Sequence, residues 1–291
     1  MKKIWVLLSL VVLASCERNI DIELDNAENL LVVDAEIEND RPPIVFLTRS
    51  IPYFTTVDPS VLATLFVRDA EVSISNGTLT HRLKEYSRPI IPGINLYFYS
   101  IDSSNLSTAF NGAFNGNYTL RINAEGKEYV AETGIPLPAL RPDSIFFRPA
   151  PQNPDTNKRV MLVKITDPRG LGNFGRYFTK VNSQPFYPGE NSVFTDEVVD
   201  GTSFEFQLPP GIDRNNPPRR DDNFFMKGDT VILKFCNIDR ATYRFWNTWE
   251  FAYQSIGNPF AQPNKVLGNV SNGALGAFCG YAAIYDTLIV P

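Results

Sequence analysis

The sequence predicts an all-β chain of two tandem β-sandwich-like domains, the second carrying one helix near its C-terminus. Three observations predict it. Short apolar stretches, alternating or rich in β-branched and aromatic residues, recur along the chain and are broken by Pro, Gly and Asn. The composition suits sheets and their turns, with 21 Phe, 12 Tyr and 22 Pro. One stretch near the end departs from this pattern and repeats its apolar residues with helical spacing.

The chain opens MKKIWVLLSLVVLAS. Lys2 and Lys3 precede an apolar run from Ile4 to Leu13, which is too short to span a bilayer, where about 20 apolar residues are needed. The stretch reads as a secretory signal over residues 1–15. Leu13-Ala14-Ser15-Cys16 matches a bacterial lipobox, so Cys16 is the expected lipidation site, with acyl chains such as palmitate. Two or three chains hold a protein on a membrane essentially permanently, since each buried methylene contributes about 0.8 kcal/mol. Residues 16–29 then read as the acylated Cys and a flexible tether, with Glu17, Asp21, Glu23 and Asp25 keeping it solvated.

The first domain is expected over 30–138, an immunoglobulin- or transthyretin-like sandwich. LLVVDAEIE (30–38) alternates, and PIVFLT (43–48) follows a turn. AEVSIS (70–75) and TLTHRLKEY (78–86) flank Asn76-Gly77, a pair suited to a two-residue type I′ hairpin. LYFYS (96–100) is a short strand, and NYTLRIN (117–123) turns at Glu125-Gly126 into KEYVAET (127–133). About seven strands in roughly 105 residues fit a sandwich of this kind. Two long loops interrupt them. In 49–69, Asp58-Pro59 can start a short helix. Loops such as this and 101–116 are common binding elements on a rigid scaffold.

Pro136, Pro138 and Pro142 mark a stiff connection. The second domain, 139–291, is expected to place strands at DSIFFRP, RVMLVKITD, GRYFTKVN, TSFEFQLP and DTVILKFCNID. The loop PPGIDRNNPPRRDDN (209–223) reads as exposed and mobile. A helix is expected over 240–256, N-capped by Asp239 and ended by Gly257 and Pro259. Phe245, Trp249, Ala252 and Ile256 fall on one face, widened by Tyr243, Trp246 and Tyr253. That face reads as packing across a sheet, and the paired tryptophans also permit a sugar platform. The C-terminal tail is expected to end as a strand closing the domain.

Charge and missing residues narrow the function. Loss of the leader takes basic residues from 27 to 25 against 32 acidic, a net charge of −7. No basic stripe is available to neutralise phosphates, so nucleic acid is not an expected partner. Arg214, Arg219 and Arg220 are offset by Asp213, Asp221 and Asp222. His81 is the only histidine, which removes HExxH zinc sites and leaves a Ser-His triad one mid-strand residue to use. No phosphate-cradling glycine motif is present. No catalytic residue, metal ligand or cofactor is assigned, and an enzyme is not expected. A glycosidase-like pair among the acidic residues stays open. Cys236 and Cys279 permit a disulfide in an oxidising compartment or serve as two buried thiols.

Several stretches carry a family resemblance. They are the lipobox, LLVVDAEIE with PPIVFLTRSIPYF, DAEVSIS, GNYTLRINAEGKEYVAET, ITDPRGLGNFGRYF, GDTVILKFCNIDRATYRFW and NPFAQPNKVLGNVSNGALGAFCGY. Together they resemble the Bacteroidota lipoproteins of the domain-of-unknown-function 4249 family. The resemblance implies a neighbouring TonB-dependent receptor and no known catalytic residues. It points to an accessory lipoprotein on the outer membrane, facing outward, beside a β-barrel partner in nutrient uptake or in outer-membrane protein or surface-lipoprotein assembly. Tyr53, Phe54, Arg214, Arg219 and Arg220 are the expected partner contacts. The alternative is a stand-alone surface lipoprotein that binds a glycan or peptide.

Overall fold

The computed structural model describes residues 29–52, 58–91, 93–216, 223–258, 260 and 264–291. The chain is mostly β, with large sheets in a β-sandwich-like architecture and one long helix near the C-terminus. The first region supplies β1 (Leu31–Glu38), β2 (Ile44–Arg49), β3 (Glu71–Ser75), β4 (Thr80–Ile91), β5 (Ile94–Ile101), β6 (Gly116–Ala124) and β7 (Lys127–Ile135). A short helix, α1 (Pro59–Leu65), lies between β2 and β3. Its start is capped as expected, with Val61 N donating to Asp58 Oδ1 at 3.0 Å.

The second region supplies β8 (Pro142–Pro149), β9 (Lys158–Thr166), β10 (Phe174–Val181), β11 (Tyr187–Thr195), β12 (Ser203–Leu208), β13 (Phe225–Met226) and β14 (Thr230–Ile238), then α2 (Arg240–Gln254) and β15 (Leu275–Ile289). Strands β11 and β13 have no counterpart in the sequence reading. Both hairpins of the first region form, but the type I′ turn is not at Asn76-Gly77. There the strands close at Ser75–Thr80 around four residues, with Asn76 Oδ1 accepting from Thr78 N and Leu79 N. The two-residue turn is Glu125-Gly126, where both φ angles are positive, as that turn requires.

The last strand is the largest departure from two separate units. Strand β15 enters parallel to β1, from Val32 opposite Leu275 to Glu38 opposite Tyr281. It leaves antiparallel to β14, from Asn237 opposite Ala282 to Thr230 opposite Ile289. One 11-stranded sheet results, in the order β11-β10-β14-β15-β1-β2-β5-β4-β3-β6-β7. The entry of β15 depends on Gly276. Its φ is +90°, and a Cβ there would lie 2.0 Å from the Val33 carbonyl oxygen.

Period-two alternation sorts the side chains into three cores. Val33, Ala35 and Ile37 of β1 point into the first, with Leu47, Ile74, Leu120 and Ile122, and β15 adds Phe278 and Ala282. Val231, Leu233 and Phe235 of β14 point into the second. There they meet Met161, Val163 and Ile165 of β9, whose sheet also holds β8, β12 and β13. The intervening residues Cys236 and Ile238, with Ala277, Cys279 and Tyr281 of β15, point the other way and meet α2.

Helix α2 is fixed at its start by Asp239. Oδ1 accepts from Thr242 N at 2.7 Å, the expected N-cap. Oδ2 accepts from Gly134 N at 2.8 Å and Thr133 Oγ1 at 3.0 Å on β7. One carboxylate therefore caps the helix and ties it to the first region. The helix ends at Gln254, two residues short of the expected boundary. Ile256 is exposed rather than part of the packed face, and a buried acid, Glu250, is part of it.

Cys236 and Cys279 are buried free thiols and do not form the disulfide the sequence permits. Register explains why. Cys236 stands opposite Ala283, four residues past Cys279 on β15. At about 3.3 Å per residue that is about 13 Å, and bridged α-carbons lie within about 7 Å.

Candidate functional site

The outward face of β1 carries Val32, Asp34, Glu36 and Glu38, because Val33, Ala35 and Ile37 point into the first core. Glu38 is fully engaged. It pairs with Lys234 and with Arg41 Nε at 2.9 Å, and it accepts from Tyr285 OH at 2.5 Å. Asp34 and Glu36 make no side-chain hydrogen bond or ion pair among the described residues. They face a cavity of about 1200 Å³ between β1, the start of β15, the segment 265–274 and α2. Solvent reaches both carboxyls, but the cavity walls surround them. Burial pushes both pKa values up. Arg176 partly opposes this at Asp34, and Lys234 does so at Glu36, where Asp34 and Glu38 push it further up.

The opposite wall is Phe245, Trp246 and Trp249 of α2. A largely buried polar network reaches the same cavity, which Arg176, Arg214, Tyr281 and Lys265 also line. Arg176 of β10 places its guanidinium carbon 3.5 Å from the Trp246 ring centroid and 4.6 Å from that of Phe178. Its Nε donates to Ser192 Oγ at 3.0 Å and its Nη1 to Tyr281 OH at 2.8 Å. Trp246 Nε1 donates to the same hydroxyl at 2.9 Å. Burial raises the Tyr281 pKa strongly, so this phenol stays protonated at neutral pH. Glu250 accepts from Ser192 N at 2.9 Å, from Ser192 Oγ at 2.5 Å and from Arg214 Nη2 at 3.1 Å. Burial lowers the Arg214 pKa, and Glu250 opposes that shift.

The network corrects the reading of loop 209–223 as exposed and mobile at residues 211–214 of its described part. Arg214 is an interior ion-pair partner and not a surface contact. Ile212 is buried and its N–H donates to the Pro188 carbonyl at 2.9 Å. Gly211 N donates to Thr179 Oγ1 at 2.7 Å, and Tyr253 OH donates to the Arg214 carbonyl at 3.0 Å. Cys16, Tyr53, Phe54, Arg219 and Arg220 lie outside the described residues. Trp246 and Trp249 line the cavity and form no open platform: Arg176 covers one ring, and Tyr253 stacks on the other at 5.3 Å and 9°. His81 is a structural pin, and its tautomer follows from its partners. Nε2 accepts from Asp102 N at 3.0 Å, so Nδ1 holds the proton and donates to Thr108 Oγ1 at 2.9 Å. The loop 101–116 is held down by that contact.

Among the described residues one carboxylate cluster has cation-like spacing. Oxygen atoms of Asp167, Asp196 and Asp200 lie within 4.8 Å of one another. Oxygen-only sets suit hard cations, yet each of these carboxylates already accepts backbone N–H groups. Gly201 donates to Asp167, Gly172 and Asn173 donate to Asp196, and Gly170 donates to Asp200. The cluster clamps the β9–β10 loop to the β11–β12 loop. Burial raises the Asp167 pKa, with Asp196 and Asp200 adding to the rise.

A sequence-family model described as Domain of unknown function (DUF4249) matches residues 17–284. The chain belongs to this family. No curated protein matches it. The match runs from the start of the expected tether to β15, so it takes in both walls of the cavity.

Proposed function

We propose that the chain is a lipid-anchored accessory subunit of an outer-membrane β-barrel complex. In this reading a TonB-dependent-receptor-like protein of a Bacteroidota cell is its partner, and Cys16 its anchor. It acts by contact, on the outer surface, in nutrient uptake or in outer-membrane protein or surface-lipoprotein assembly, and it uses no cofactor. The observation that carries this reading is where the body meets its tether. Leu30, which joins residues 17–29 to β1, is part of the cavity wall. Thirteen residues span at most about 45 Å when fully extended, so the cavity is held within that reach of the lipid. Phe251, Ile256 and Phe260 add exposed apolar surface at the far end of α2, and we take this end, in place of Arg214, as a partner contact.

The chain is a binder in this reading and not an enzyme. A glycosidase sets its two carboxyl groups on opposite sides of the scissile bond, whereas Asp34 and Glu36 stand side by side on one strand. The cavity also favours a second reading, in which the lipoprotein captures a small ligand by itself. A pull-down in mild detergent from native membranes, through a tag on the exposed Pro291, separates the two. Stoichiometric recovery of a β-barrel protein supports the accessory subunit. Recovery of the lipoprotein alone overturns it in favour of capture.

A further inference from the structure

None of the three cores includes the outward face of β1, β2, β5 and β4. Val33, Leu47 and Tyr99 point from these strands into the first core, so their neighbours along each strand point outward. The registers align those neighbours in rows across the four strands. One row is Asp34, Phe46, Phe98 and Tyr86. Its rings touch in series, Phe46 to Phe98 at 6.0 Å between centroids and Phe98 to Tyr86 at 5.7 Å. All three rings are half-buried. A continuous aromatic row on the outer side of a sheet marks a contact surface. The charges at its ends say what the contact is. Asp34 and Glu36 are exposed at the β1 edge, and Lys84 and Arg88 are exposed at the β4 edge. Glu36 and Lys84 end the same row. Arg176 and Lys265 line the neighbouring cavity and are not part of this pattern, since Arg176 is buried against Trp246 and Lys265 lies on the segment 265–274.

We propose that this face pairs with the same face of a second copy of the chain, about a two-fold axis parallel to the strands. A face that is acidic along one edge, basic along the other and aromatic between them is complementary to itself under that operation. The turn lays β1 of each copy over β4 of the other, with Glu36 opposite Lys84 and one ring row upon the other. An axis across the strands would lay acid on acid. Neither a sugar polymer nor an unlike protein needs the two edges to be of opposite sign. Packed sheets also keep their strands within about 30° of each other, as this axis does. The same axis leaves both Leu30 ends on one side of the pair, so both tethers reach one membrane. That last point rests on the anchor at Cys16 proposed above, and the charge pattern does not. Four strands about 4.8 Å apart and three rows about 7 Å apart cover about 400 Å². That is half of the roughly 800 Å² per partner in a standard interface, so the pair is weak and dissociates on dilution.

The test uses residues 16–291 with Cys16→Ala, which carries no acyl chain and keeps only the two buried thiols. No barrel is present, so this test and the pull-down fail separately. Light scattering is expected to give a mass that rises from monomer to dimer with concentration. Glu36→Lys or Lys84→Glu alone should weaken the dimer at least about tenfold (about 1.4 kcal/mol), because a two-fold axis repeats each contact, and the two swaps together should restore it. Glu36→Cys with Lys84→Cys fixes the axis. Within one chain these positions lie three strands apart, about 14 Å, too far to bridge, whereas in the pair they face each other. Oxidation should therefore give a covalent dimer from the double cysteine variant and at least about tenfold less from either single one. A monomer at every concentration overturns the proposal and leaves the face to an unlike protein. A dimer that ignores both charge swaps, or one that Glu36→Cys alone links equally well, also overturns it. If a charge variant lacks a cooperative melt, the cross-linking result decides.

Discussion

Strand β14 separates two layers that differ in kind. On one face, Val231, Leu233 and Phe235 meet the β8–β9–β12–β13 sheet in an apolar interior. On the other, Lys234, Cys236 and their neighbours face a layer that holds Arg176, Tyr281, Glu250 and Arg214. The first layer is sheet on sheet, where close-packed apolar side chains leave little to distinguish one site from another. The second is a helix laid across a wider sheet. Helix α2 covers β10, β14 and β15 but stops short of β1, and the uncovered strip is the cavity floor. The difference teaches that one strand can carry an apolar interior on one side and a buried polar network on the other.

The sharpest way to break the comparison is to damage the apolar layer. Phe235→Ala should cost about 3–5 kcal/mol, measured as a shift in the denaturant midpoint, and no second substitution in the helix layer should recover it. Arg214→Ala should cost about 2–3 kcal/mol, because it strands Glu250 in the interior. The partial exposure of Arg214 keeps the figure below that of a fully buried pair. This loss is of the opposite character, since Arg214→Met with Glu250→Leu should restore most of it. Failure of the double variant to recover would place the helix layer in the same class as the apolar one. Removing residues 210–222 should weaken the cooperative melt for the same reason, since the deletion takes Ile212 and Arg214 with it.

Asp239→Ala should cost more than the roughly 1 kcal/mol of an ordinary N-cap. Its carboxylate also holds Thr133 and Gly134, and the excess over a simple cap measures how strongly α2 is tied to β7. Asp34→Asn/Glu36→Gln should raise the melting temperature at neutral pH. Both carboxyls have folded pKa values above the ordinary ones, so the wild-type gains stability as pH falls through those raised values, and the gap to the variant closes below about pH 4. A gap that widens in acid would mean the carboxylates are stabilised when ionised. The smallest expected effect is on Cys236 and Cys279. Burial pushes both thiols up to about 12, so neither should be alkylated at pH 8 until the protein unfolds, as intact mass would show.

Much of the strand pattern was legible because alternation is local. LLVVDAEIE displays both faces of β1 in the sequence itself, acidic residues and all. Strand β11 was hidden because Pro188-Gly189 reads as turn punctuation, and β13 because two residues form no pattern. Glu250 was missed since an acid on an amphipathic helix reads as solvent-facing unless its partners, Ser192 and Arg214, are known to lie beneath it. The cavity could not be read at all. It exists because Asp34 and Ala277 lie opposite each other in neighbouring strands, across more than two hundred residues of chain, and no local rule encodes such a pairing.

That same pairing has a consequence for how the molecule is made. The strand that completes the sheet follows both of its neighbours, β1 and β14, in the chain. Until residues 275–289 arrive, β1 lacks one neighbour and β14 lacks another, so neither half is finished. Contacts this distant in sequence form slowly. The chain is thereby kept from locking into its final shape before residues 275–289 are in place.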